Sequence, residues 1–210
     1  SSYDFKDMLT YTKDKLTNYD IKYYNQETIF DDEEGYSGYP MFNTPSGFGK
    51  SMIDAGFNVV SLATNHSMDR GADSAKRSTS WWKKQEHILT NGMATSEEER
   101  TNYQIMEANG ITYTMLSYTY GTNGLGTEAL NNEPYLVNIY DEELVLNDIA
   151  AVRDKVDVLI VAMHWGSEYM QLASDTQKSQ AKFLADNGVD IVLGTHSHCI
   201  QPWEWIDDTV

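Results

Sequence analysis

Four places in the chain put side chains that bind metals or move protons directly behind a short apolar run. Ile21 to Tyr24 leads into Asn25-Gln26-Glu27, and Phe57 to Ala63 leads into Thr64-Asn65-His66-Ser67-Met68-Asp69. Val156 to Met163 leads into His164-Trp165-Gly166, and Ile191 to Leu193 leads into Gly194-Thr195-His196-Ser197-His198. Imidazole is the commonest protein ligand for divalent metals. Together with carboxylate it suits Zn, Mn or Fe, and an amide oxygen is an acceptable harder ligand. A single histidine behind a strand is ordinarily a hydrogen-bonded structural residue. Here four of the 5 histidines take that position, His87 being the exception, and chance does not explain the set.

The runs themselves read as strands alternating with helices. Tyr19 to Tyr24, Phe57 to Ala63, Ile111 to Tyr118, Val156 to Met163 and Val189 to Leu193 have strand composition, several of them apolar throughout as strands buried on both faces are. Helical patterns cover Ser46 to Ala55, closed by Gly56; Gly71 to Lys84; Asp141 to Lys155; and Asp175 to Asn187, stopped by Gly188. This order predicts an α/β sandwich with a mixed, largely parallel sheet. In a parallel sheet the four tips share the C-terminal edge, where such folds keep their chemistry. Asp31 to Pro45 and Tyr120 to Glu133 read as long loops, a length often found at functional rims.

Composition narrows the function classes. The 210 residues suffice for one sizeable α/β domain, and 40% hydrophobic content supports a packed core. A net charge of −17 repels phosphate backbones and anionic lipid, which argues against a nucleic-acid or membrane-surface partner. No run of about 18 apolar residues is present. Any membrane attachment would need an anchor outside these residues. No signal peptide is visible at Ser1 to Asp7. The single cysteine, Cys199, excludes an internal disulfide; a buried inert thiol is favoured over a metal ligand.

Other candidates rank lower. Glu168 and Tyr169 would line a substrate cleft beyond His164 or serve the fold. Arg70 would meet a substrate anion or form a simple salt bridge. Trp165, Trp203 and Trp205 are expected in the core rather than on a polymer platform. Asp31 to Glu34 is expected to be a solvated acidic loop rather than a cation site. Gly121 to Gly126 imitates a phosphate loop but is discounted, because no helix start is apparent after it.

The text around the four tips resembles the CapA-type poly-γ-glutamate capsule synthesis proteins, which have a calcineurin-like metallophosphoesterase fold. The matching stretches are Tyr24-Asn25-Gln26-Glu27-Thr28, Ala55 to Gly71, Met163 to Tyr169, and Gln177 to His198 with Gln201-Pro202 behind. They run over nearly the whole chain in the expected order. The resemblance implies that Glu27, with Asn25 beside it, stands where the fold keeps a metal-bridging acidic segment. It further implies that Asn65 is a metal-binding amide, that His66 stabilises charge on a phosphoryl group or leaving oxygen, and that Asp69 orients His66. His164 and His196 match ligands of one metal, His198 a ligand of the other.

Two departures accompany the match. The fold normally opens on a strand ending in Asp-x-His, and nothing before Tyr19 resembles it. The family also continues past the His-x-His with a further strand and an Asn-containing loop. The expectation is therefore one CapA-like domain over residues 1–210, lacking terminal strands, with one divalent-metal site (Mn, Fe or Zn) that these residues can fill. Three functions stay open: a metal-dependent phosphoester hydrolase, a cell-surface accessory protein that guides an anionic polymer such as poly-γ-glutamate alongside capsule assembly proteins, and an amide hydrolase using the same site.

Overall fold

The computed structural model describes residues 3–210. Strands β1 (Tyr23–Asn25), β2 (Val59–Ser61) and β3 (Leu89–Asn91) form one parallel sheet. Strands β4 (Met106–Ala108), β5 (Ile111–Thr119), β6 (Val158–His164) and β7 (Ile191–Thr195) form a second. In it only the β4–β5 pair is antiparallel; β5, β6 and β7 run parallel. The expected mixed, largely parallel sheet is thus two sheets packed face to face.

Strand alternation explains the layers. On β6, Ile160 and Ala162 face inward with Met115 and Tyr113 of β5 and meet Val59 and Leu89 of the first sheet. Leu159, Val161 and Met163 face the other way, against Val145, Ile149, Val152 and Leu184. These come from helices α6 (Glu142–Val152) and α7 (Asp175–Asp186). The first sheet's outer face buries Phe30, Val60, Leu62 and Trp82 beneath α2 (Gly47–Ala55) and α3 (Gly71–Lys83). Each buried large apolar side chain contributes roughly 1.5–3 kcal/mol, and burial on both faces is why these strands read as continuous apolar runs.

Helix boundaries follow local chemistry. Asp141 caps α6 by accepting from the Leu144 amide. Ser174 and Gln177 form a reciprocal capping box on α7. Gly56, at φ 110°, closes α2 in a conformation that a side chain would strain.

Several boundaries differ from the sequence reading. The first strand begins at Tyr23 rather than Tyr19, because the Asn58 side chain takes the Lys22 amide and the Asp20 carbonyl out of the ladder. Strand β6 starts two residues later than expected, at Val158, and ends one residue later, on His164 itself. The Tyr120 to Glu133 loop contains α5 (Thr127–Asn132), so a helix start does follow Gly126. That glycine is explained by packing: a Cβ on it would lie 2.4 Å from Met68 Cε. The short elements α1 (Thr10–Leu16), β3, β4 and α4 (Glu97–Arg100) have too few residues to show a period.

Trp165 is buried as expected, but Trp203 (77% exposed) and Trp205 (63% exposed) are not core residues. They lie on the segment that crosses outside the β7 edge, tied there through Val210 to Asp190 and Val192. Cys199 is half-buried rather than enclosed, its thiol on the Met170 carbonyl.

The loop from Asp31 to Pro45 is pinned at its root. Asp31 is buried, accepts two hydrogen bonds from Arg77 at 2.8 and 2.7 Å, and takes a third from Ser74. Asp31 is therefore not the solvated acid expected, while Glu33 and Glu34 are exposed. The Arg77 hydrogen bonds hold the Asp31 carboxyl below its ordinary value of 3.8. A carboxyl held low contributes stability above its unfolded pKa and loses it as pH falls through the folded one. Arg77→Ala is expected to cost about 1–3 kcal/mol near pH 7. In urea titrations at several pH values that difference should close below the ordinary range of aspartate; a difference constant down to strongly acid pH would refute the linkage.

Candidate metal centre

The two sheets bring the C-terminal ends of β1, β2, β6 and β7 to one edge, and the four tips meet there. Glu27 lies two residues past β1, its carbonyl accepting from Thr64 Oγ1 at 2.6 Å. Its Oε1 lies 3.8 Å from His164 Nε2 and 3.5 Å from His198 Nε2. Glu27, His196 and His198 can each offer one ligand atom so that all lie within 4.8 Å of one another. His164 Nε2 sits 2.9 Å from Asn65 Oδ1. Glu27 therefore stands among three histidines, with Asn65 behind His164.

The His-x-His segment achieves this through its backbone. His196 at φ 89° and His198 at φ 51° both lie in the left-handed region. Such conformations cost on the order of 1–3 kcal/mol for a non-glycine residue and collect at functional sites. They bend the chain just past the end of β7, at the two residues whose imidazoles lie with Glu27.

Burial favours the neutral, ligand form of two imidazoles, His164 and His196. Burial, aided by the neighbouring histidines, pushes His164 down to about 3, so it is neutral. With its proton on Nδ1, donated to Thr195 Oγ1 at 2.9 Å, His164 would present Nε2 as a ligand atom beside Asn65 Oδ1. Burial also lowers His196. Burial raises Glu27 against the opposing charges of His198 and His66.

The donor set fits a divalent cation of the Zn, Mn or Fe class. One orphaned atom supports the fit: His196 Nδ1 is buried with no hydrogen-bond partner among the described residues, which an unsatisfied imidazole avoids unless something else coordinates it.

Beside this group lies a His–Asp pair. His66 Nδ1 is 2.8 Å from Asp69 Oδ2, and Asp69 also accepts the Phe42 amide at 2.8 Å. The Phe42 ring meets His66 edge-on at 4.7 Å. For His66, burial disfavours charge, but the hydrogen bond and charge of Asp69 prevail and the pKa is raised.

Among the cleft candidates, Tyr169 is exposed with its ring 6.0 Å from His198, and Glu168 beside it is exposed. Asn25 is not directed freely into the cleft; its Oδ1 accepts from Ser61 Oγ at 2.8 Å. Arg70 pairs with Glu34 at 3.8 Å, the salt-bridge alternative. Three contributors escaped the sequence reading: Phe42, Tyr120 (ring 4.9 Å from His196) and Thr195 in its role on His164. Only Thr195, inside the histidine segment, carried a local signal; the other two are brought in from the two long loops.

Comparison with known proteins gives this cleft its setting. The model of the family described as "Bacterial capsule synthesis protein PGA_cap" matches residues 1–210. The chain belongs to this capsule synthesis family. It is 32% identical over 163 residues to the PGA biosynthesis protein CapA of Bacillus subtilis (strain 168), covering 77% of this chain and 42% of the relative. It is 28% identical over 159 residues to the capsule biosynthesis protein CapA of Bacillus anthracis, covering 74% of this chain and 38% of the relative. The chain thus spans about two fifths of the length of these relatives.

Among solved structures, a Staphylococcus aureus protein named as a 5′-nucleotidase, crystallised with alpha-ketoglutarate, superposes with a TM-score of 0.56 at 13% identity. That match covers 95% of this chain and 40% of the other. It shows that the fold is of the metallophosphoesterase-like α/β type, as the family resemblance implied. Among the described residues no helix is long and apolar enough to cross a membrane.

Proposed function

We propose that this chain carries a divalent-metal site and acts as a metal-dependent phosphoester hydrolase in capsule or poly-γ-glutamate assembly at the cell surface. The observation that carries the reading is the metal-spaced group of Glu27, His196 and His198, with His164 3.8 Å from Glu27 and Asn65 beside His164, next to the His66–Asp69 pair. When bound, the metal supplies Lewis-acid chemistry at a phosphoryl oxygen. The residues themselves do the rest. Asp69 holds Nδ1 of His66, which leaves Nε2 to give a proton to the leaving oxygen. Phe42 fixes the His66 ring, while Thr195 and Asn65 fix that of His164. Tyr169 and Glu168, on the exposed side of His198, meet the rest of the substrate.

The test is His66→Ala in the full-length protein. Hydrolysis of p-nitrophenyl phosphate or its bis-ester should fall about 10²–10⁴-fold, with metal content by elemental analysis unchanged. Parallel loss of metal would move His66 into the ligand set, and wild-type protein without metal or turnover would end the proposal.

A second reading is guidance of an anionic polymer without hydrolysis. It is favoured by the exposed Tyr169, Met170 and Leu172, on the segment that follows His164. In that case poly-γ-glutamate binding should depend on divalent cation, and binding indifferent to chelator would count against it.

A further inference from the structure

Two tyrosines stand against the His-x-His pair, one at each imidazole. The Tyr120 ring lies 4.9 Å from that of His196 and the Tyr169 ring 6.0 Å from that of His198, the two imidazoles being 6.1 Å apart. Each tyrosine is pinned to a histidine-bearing segment through its own backbone. The Tyr120 amide donates to the His164 carbonyl at 3.1 Å, and the Tyr169 amide to the Ser197 carbonyl at 2.7 Å. Yet neither ring belongs to the core, Tyr120 being 48% and Tyr169 73% exposed. Aromatic surface fixed beside a polar site and left open to solvent is surface for a ligand to cover.

The fixed charges of this cleft have one sign. Among the described residues Glu27 and Asp69 form ion pairs with histidines alone, and no Lys or Arg pairs with Glu27, Asp69 or Glu168. Glu168 is exposed, and its charge acts on Glu27, His66 and His196. Arg70, the neighbour of Asp69, is engaged by Glu34. A phosphomonoester carries up to about two negative charges, which guanidinium or ammonium groups ordinarily meet. A phosphodiester carries a single charge, and it has an ester group on either side of phosphorus for two rings to cover.

We infer that the cleft selects phosphodiesters over phosphomonoesters, Tyr120 and Tyr169 each covering one ester group and Glu168 turning away a second charge. The inference rests on the hydrolase reading and names its substrate class. Hydrolysis adds the oxygen of one water to phosphorus and breaks one ester P–O bond. The leaving oxygen takes the proton of His66 Nε2, which a proton of that water restores, and a monoester and an alcohol are released.

The experiment compares kcat/KM of the full-length protein with Mn²⁺ at about pH 8, where the monoester is doubly charged. The substrates are p-nitrophenyl phosphate, bis(p-nitrophenyl) phosphate and methyl p-nitrophenyl phosphate. Wild type should prefer the bis-ester to the monoester by about tenfold or more. Tyr169→Ala and Tyr120→Ala should each lower the ratio of bis-ester to methyl ester about three- to tenfold. Glu168→Gln should raise the monoester relative to the bis-ester about threefold. Preference for the monoester in wild type would overturn the inference, as would ratios unmoved by the tyrosine variants or by Glu168→Gln. If Tyr120→Ala fails to fold, Tyr169→Ala, at the more exposed position, decides. Turnover without diester preference sinks this inference alone, whereas absence of metal or of all turnover sinks the hydrolase reading and this inference with it.

Discussion

His196→Ala is expected to weaken divalent-metal binding at least about 100-fold while the fold stays intact. Loss of a supporting residue one step out from a metal typically costs 10–100-fold, and His196 belongs to the closest group with Glu27 and His198. The fold should tolerate the change, because the buried Nδ1 of His196 makes no hydrogen bond that would be lost. Thr195→Val supplies the contrast. It removes only the hydroxyl on His164 Nδ1, so affinity should fall by about 10–100-fold with all ligands still present. Calorimetric titration with Mn²⁺ and Zn²⁺, beside circular dichroism, reads both. Equal affinity in His196→Ala and wild type would remove the His-x-His segment from the metal site.

Asp148→Leu should produce the largest loss of stability, about 3–5 kcal/mol. Asp148 is 2% exposed and accepts from Arg100 at 2.6 Å, Tyr103 at 2.5 Å and Tyr118 at 2.7 Å. Removing it leaves a guanidinium only 8% exposed with no counter-charge, and strands two phenol hydroxyls. Burying an unpaired charge costs more than the pair contributed. The double variant Arg100→Met with Asp148→Leu should therefore recover part of the loss. Urea unfolding midpoints decide; a single-variant loss below about 1 kcal/mol would show that water reaches the cluster.

The parts legible in the sequence are those governed by local pattern. Leu159 to Met163 announce a buried strand because both faces meet apolar layers, whereas Ile191 to Leu193, on the sheet's edge, are only half-buried. Asp141, Ser174 and Gly56 mark helix ends through bonds made within a few residues. What stayed hidden has the opposite character. Leu89 to Asn91 and Met106 to Ala108 are strands of three residues, held by partners far along the chain. The exposure of Trp203 and Trp205 depends on which strand ends the second sheet, and no residue near them states it.

The candidate site divides in the same way. The sequence by itself determined which side chains stand at strand tips, since an apolar run followed by His, Asn or Glu is a local pattern. It also supplied the family resemblance that the comparison established. Tertiary structure alone decided that the tips come from two sheets, and that Glu27 lies within 4 Å of His198 and His164 while His164 also meets Asn65. It also decided that Phe42 reaches Asp69 from a loop anchored on Arg77. The physical reason is that a ligand's direction depends on strand register and on the left-handed turns at His196 and His198. Those are set by packing between segments distant in sequence.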